Sequence, residues 1–131
     1  MANSNPLFPG VDHFITLAQA KEMTALYRAE KDNILDPQYR GQDILSICET
    51  FNRDIFDVIL AETDCVGLRI YFGMKPDLKV KTILVGVNSK GEDILPTATK
   101  IALTEGDDGD GDGNLGQDGQ PCPPWCPVPP L

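Results

Sequence analysis

Two clusters near the C-terminus carry the side chains best suited to chemistry. Cys122-Pro123-Pro124-Trp125-Cys126 places two thiols four positions apart around an indole. Such thiols can close a disulfide, hold a soft metal or exchange with other thiols. The C-x3-C spacing differs from the C-x2-C of zinc knuckles and thioredoxin-like motifs. Prolines at 123, 124 and 127 favour a polyproline II path. At about 3.1 Å per residue, four residues span on the order of 12 Å, beyond the roughly 4.4–6.8 Å Cα separation of a disulfide. A Cys122–Cys126 bond therefore needs a turn, for which a cis proline is one route. Zinc would need Cys48, Cys65 or His13 to complete its set, and nothing in the spacing compels it. The favoured reading is a stiff peptide whose Trp125, Val128 and Leu131 dock into a groove, on this chain or on a neighbour. Stiffness lowers the entropy lost on docking.

The second cluster is Asp108, Asp110 and Asp112, followed by Gly113, Asn114 and Leu115. Carboxylates at positions one, three and five, glycine at six and an apolar residue at eight match the first half of a calcium-binding loop. The second half departs from it. Position twelve is Gly119, not a bidentate glutamate, and Asp118 stands one place early. Gly109, Gly111 and Gly116 loosen the loop, and the prolines after Gln120 bar an exit helix. The preferred reading is a solvated Gly/Asp linker. Calcium on Asp108, Asp110, Asp112, Asn114 and Asp118 is the alternative, and no other cofactor is required.

Nucleophilic catalysis has little support. His13 is the single histidine, so any Ser-His or Cys-His pair must use it, and it sits between Asp12 and Phe14 in an irregular arm. Cys48 and Cys65 lie in apolar runs and read as small core residues. Asp54/Asp57 and Glu62/Asp64 read as the wet side of a helix and its exit. No Walker loop is present, and Gly106 to Gly119 lacks the lysine that phosphate binding would want. The chain reads as a non-enzyme.

Charge locates a boundary. The 131 residues carry a net charge of −9, yet 105–131 hold six acids and no base, leaving 1–104 near −3. The same 27 residues hold six of the 12 glycines and six of the 11 prolines, with too few apolar groups for a core. The expected organisation is a globular body over 1–104 and an acidic tether bearing the Pro/Trp/Cys peptide over 105–131. Excess acid argues against nucleic acid, whose phosphates need a basic surplus. No apolar run approaches the roughly 20 residues that span a bilayer, so no membrane contact is expected. The first 14 residues lack a signal peptide's basic and apolar regions. The cytoplasm is the default expectation, which a route reading some other signal would escape.

The body must position these groups. Thr16 with Gln19 forms a capping-box pattern, predicting a helix from Leu17 to about Lys31. Its inward stripe is read as Ala20, Met23 and Tyr27 with Leu26 beside it, and Lys21, Glu22, Arg28 and Lys31 as outward. Asp36-Pro37 ends that segment. Asn52 starts a second helix through Ala61, with Ile55, Val58 and Ile59 inward and Phe56 and Leu60 widening the stripe. Residues 44–48 fit a strand or a helical turn. Val66, Leu68, Ile70 and Phe72 alternate with Gly67, Arg69, Tyr71 and Gly73 as a strand. Pro76-Asp77 marks a turn, and Lys79–Val87 a second strand. Asn88-Ser89-Lys90-Gly91 turns again, and residues 94–95 and 101–103 supply one or two further strands. Leu7, Phe8, Val11 and Phe14 of the arm are read as lying on the body. Helices first and hairpins later makes an α+β layer with an antiparallel sheet.

Three stretches then carry a resemblance: Glu49-Thr50-Phe51-Asn52-Arg53, Gly67-Leu68-Arg69-Ile70-Tyr71-Phe72-Gly73-Met74 and Ile83-Leu84-Val85-Gly86-Val87. Together with the Cys-Pro-Pro-Trp-Cys ending, they resemble a group of small uncharacterised bacterial proteins with a Cys-Pro-Pro-x-Cys tail, over residues 15–126. The resemblance transfers no activity and no catalytic residue, and implies only that the tail is a recurring part. The functional expectation is an interaction or assembly protein that binds a protein partner or itself as a homo-oligomer. The alternatives are the calcium module and a metal- or thiol-active protein using Cys122 and Cys126.

Overall fold

The computed structural model describes residues 12–95 and 115–131. Its elements are α1 (Leu17–Glu30), a short 3-10 helix (Pro37–Tyr39), β1 (Cys48–Thr50), α2 (Arg53–Leu60), β2 (Cys65–Met74), β3 (Val80–Asn88), β4 (Asp93–Ile94), β5 (Leu115–Gly116) and β6 (Gln120–Cys122). The class is α+β. Residues 44–48, ambiguous in sequence, lead into a strand that separates the two helices. Residues 101–103 and the arm positions 7, 8 and 11 lie outside the described residues, and Phe14 is exposed.

The chain divides into two units, and β2 and β3 contribute residues to both. In the first, over 51–72 and 82–118, β3 is the central strand, with β2 on one side and β4 and β5 pairing along it. Gly86 faces Ile94 and Val87 faces Asp93, while Leu84 faces Gly116 and Val85 faces Leu115. A strand buried on both faces reads as a continuous apolar run, and Leu84–Val87 is one. Helix α2 contributes Ile59, fully buried, and Ile55, one turn earlier. A methyl built on Gly86 would lie 3.1 Å from Ile59 Cγ2, and one on Gly116 would lie 2.8 Å from Ile55 Cγ1. Glycine at both positions lets the helix lie close to the sheet. Val58 and Leu60, read as inward, are about half exposed, so the buried stripe is narrower than expected. On β2 the apolar residues Val66, Ile70 and Phe72 are exposed, and Arg69 of the opposite set is half-buried.

The second unit, over 10–50, 73–81 and 119–131, contains α1 and the two-stranded β1–β6 sheet. Both halves of the predicted capping box form on α1: Thr16 Oγ1 accepts from Gln19 N, and Gln19 Oε1 accepts from Thr16 N. Its orientation corrects the expected stripe. The half-buried positions are Ala20, Thr24, Arg28 and Lys31, whereas Met23, Leu26 and Tyr27 are exposed. The physical reason lies in polar anchoring. Thr24 Oγ1 and Arg28 Nη1 both donate to Leu131 O, at 3.0 and 2.5 Å, seating that side of the helix against the chain's last residue.

Candidate functional site

The site grows from the β1–β6 pairing. Residues 115–122, read as part of a tether without a core, lend strands to sheets formed elsewhere. β5 joins β3, and β6 pairs antiparallel with β1 in the register Cys48 with Cys122, Glu49 with Pro121 and Thr50 with Gln120. The boundary drawn at residue 105 is therefore not one between a folded body and a tether, for residues 115–131. Ile47 N–H donates to Cys122 O at 2.7 Å, fastening the end of this ladder. Lys81 Nζ donates to Gly119 O at 3.3 Å and lies 3.8 Å from Glu49 Oε2, so one half-buried cation touches the strand and the turn before its partner. Asp118 in that turn takes a left-handed φ of 59°, which aspartate tolerates better than most residues.

The extended path expected over Cys122–Cys126 is overturned. The Cys122-Pro123 and Pro123-Pro124 peptides are cis, the Cα atoms of Cys122 and Cys126 are 4.6 Å apart, and the two cysteines form a disulfide. Trp125 N–H donates back to Pro121 O at 3.0 Å, closing the same turn. Cys122 is fully buried and Cys126 exposed. The expected docking residues are presented outward: Trp125 is 59 % exposed, Val128 96 % and Leu131 50 %. The backbone oxygen of Leu131 is held by Thr24 and Arg28.

The exposed face of α1 belongs to this unit, and sequence reasoning misassigned it to the core. Met23, Leu26 and Tyr27, with Ile34 beyond the helix end, line a shallow apolar groove closed by Glu30 and Lys31. Tyr27 Oη donates to Ser46 O at 2.7 Å, and burial, assisted by the charge of Asp32, pushes its phenol pKa up. Periodicity reveals an apolar stripe but not which side of the helix packs; the missing signal is that Thr24 and Arg28 stack one turn apart as anchors.

Of the proposed calcium ligands, Asp108, Asp110, Asp112 and Asn114 lie outside the described residues, and Asp118 is exposed. Among the described residues, no three His, Cys, Asp or Glu side chains are grouped to hold a metal ion. His13 is exposed at the approach to α1, and Cys48 and Cys65 are free and half-buried. No helix among the described residues is long and apolar enough to cross a membrane.

One polar cluster in the first unit escaped the sequence reading. Arg69 Nη1 and Tyr71 Oη each donate to a different oxygen of Asp93, and Arg69 Nη2 donates to Gly91 O at 3.2 Å. With one donor from β2 on each carboxylate oxygen, the cluster clamps β4 to β2. The Asp93 hydrogen bond raises the Tyr71 phenol pKa above its ordinary value, and desolvation adds to it. A raised folded pKa means the fold holds the proton more tightly. Its stabilisation is then complete below the unfolded value of about 10 and fades as pH rises through the folded one. Asp93→Asn is expected to bring the Tyr71 transition down toward pH 10, followed by phenolate absorbance against a Tyr71→Phe control; an unmoved transition would remove Asp93 as the cause.

Searched against known proteins, the chain matches no protein-family model, no curated protein and no solved structure.

Proposed function

We propose that this protein is a non-enzymatic assembly module that pairs with a second copy of itself through the outward apolar stripe of α1. The observation that carries the reading is a 14-residue helix with no buried residue. Met23 and Leu26 are each 65 % exposed and Ile34 is 74 % exposed, with Trp125 and Val128 exposed in the same unit. Met23, Leu26, Tyr27 and Ile34 line one apolar groove, and exposed apolar surface grouped in this way marks interaction sites.

A two-fold pairing lays the same stripe of each copy against the other, so one apolar surface serves both partners. The hydrogen bonds of Arg69 and Tyr71 to Asp93 tie β4 to β2, a structural use of these polar groups that suits a non-catalytic reading.

Light scattering on the intact chain is expected to give twice the 14.3 kDa chain mass. Leu26→Asp should return it to the monomer while leaving stability within about 0.5 kcal/mol, because an exposed position contributes little to the fold. A native chain that stays monomeric at its highest attainable concentration, or a Leu26→Asp chain that still pairs, overturns the proposal.

A further inference from the structure

We propose that Cys48, Cys122 and Cys126 form an internal thiol–disulfide exchange site, in which Cys48 displaces Cys126 from Cys122. The inference does not depend on the self-assembly reading.

Cys48 and Cys122 are direct partners in the β1–β6 register. Side chains directly opposite each other in an antiparallel pair lie on the same face, with Cα atoms about 4.5–5.5 Å apart. That separation falls inside the roughly 4.4–6.8 Å range in which a disulfide forms without moving the backbone. Cys122 is thus placed between two possible partners: Cys126, to which it is bonded, and Cys48, which is free. The other free cysteine belongs elsewhere. Cys65 is in the first unit, its Sγ 3.1 Å from a methyl built on Gly86.

Burial gives the exchange a direction. Cys122 is fully buried, so an external thiol has no path to it, while Cys48 approaches from within the same small sheet. Cys126 is exposed, so the departing thiolate enters solvent. In the step, Cys48 loses its proton to solvent and its thiolate attacks Cys122 Sγ. The Cys48–Cys122 bond forms as the Cys122–Cys126 bond breaks. The electron pair goes to Cys126 Sγ, which takes up a proton. One disulfide replaces another and nothing is oxidised or reduced overall. The consequence is local: the turn beside Trp125 opens and an exposed thiol appears, able to react with small-molecule or protein thiols and disulfides.

The test uses the full oxidised chain, incubated at mildly alkaline pH with N-ethylmaleimide and mapped by mass spectrometry without reduction. In the wild-type chain, maleimide is expected to accumulate on Cys126, together with a Cys48–Cys122 linked peptide. Cys48→Ser is expected to lose the Cys126 label and retain only the Cys122–Cys126 link. Label confined to Cys48 and Cys65 in the wild type, or Cys126 label persisting in Cys48→Ser, overturns the proposal. Cys126→Ser provides an independent arm. Equilibrated with oxidised glutathione, it should form the Cys48–Cys122 disulfide and lose maleimide labelling at both positions, with Cys65 still labelled. Continued labelling of Cys48 and Cys122 in that variant also overturns it.

Discussion

Ile59→Ala is expected to destabilise the protein by about 2–5 kcal/mol, the range for removing a fully buried aliphatic side chain. Ile59 has no exposed surface, and its Cγ2 lies against the backbone of Gly86 on the central strand. Two costs combine: the transfer energy of the lost methylenes, and a cavity that β3 cannot collapse into because its other neighbours hold its register. Leu84, Val85 and Val87 are equally buried along that strand, so the gap would open in the centre of the first unit's core. Urea unfolding is the measurement, with Val58→Ala as its companion. Val58 is one position away on α2 but 48 % exposed, and its truncation should cost far less. Equal losses for the two variants would mean that the helix packs on a different face.

Glu49→Leu is expected to cost about 3–5 kcal/mol, the scale for leaving a buried charge without its counter-ion. The Glu49 and Lys81 side chains are only 8 % and 14 % exposed. Glu49 stands opposite Pro121 in the β1–β6 register, and the ammonium of Lys81 also holds Gly119 O. Removing the carboxylate leaves the largely covered ammonium of Lys81 charged beside the carbonyl of Gly119. Introducing Lys81→Met into Glu49→Leu should recover most of the loss, since apolar groups of similar volume often replace a buried pair at little cost. Unfolding of both single variants and the double variant completes the cycle. Losses that simply add would show that the two side chains act independently.

Both effects depend on features that periodicity does not report. The second helix and its inward Ile55 and Ile59 are legible in the spacing alone, because an amphipathic helix over a sheet has one way to hide its apolar side. The same rule misplaces α1. Its strongest stripe, Met23–Leu26–Tyr27, faces out, and the helix is held through Thr24, Arg28 and Ala20. A hydrophobic pattern states that a surface wants covering, not whether this chain supplies the cover. On β2, likewise, the alternation of Val66, Ile70 and Phe72 is legible while their exposure is not. The clamp of Arg69 and Tyr71 on Asp93 joins residues more than 20 positions apart, which no local window can connect.

The C-terminal segment shows the division most sharply. Composition alone establishes that residues 105–131 are acidic, rich in glycine and proline, and too poor in apolar groups to fold by themselves. Residue order and spacing establish the α+β class and the capped first helix, and place two cysteines near the end. Only the tertiary structure decides that the end borrows a strand partner, that its prolines turn the chain instead of extending it, and that Cys48 stands opposite Cys122. The physical reason is that strand pairing is a long-range contact. Backbone hydrogen bonds accept almost any side chain, so the residues that pair carry little local mark of their partner, while helix periods, caps and charge density are written within a few positions of one another.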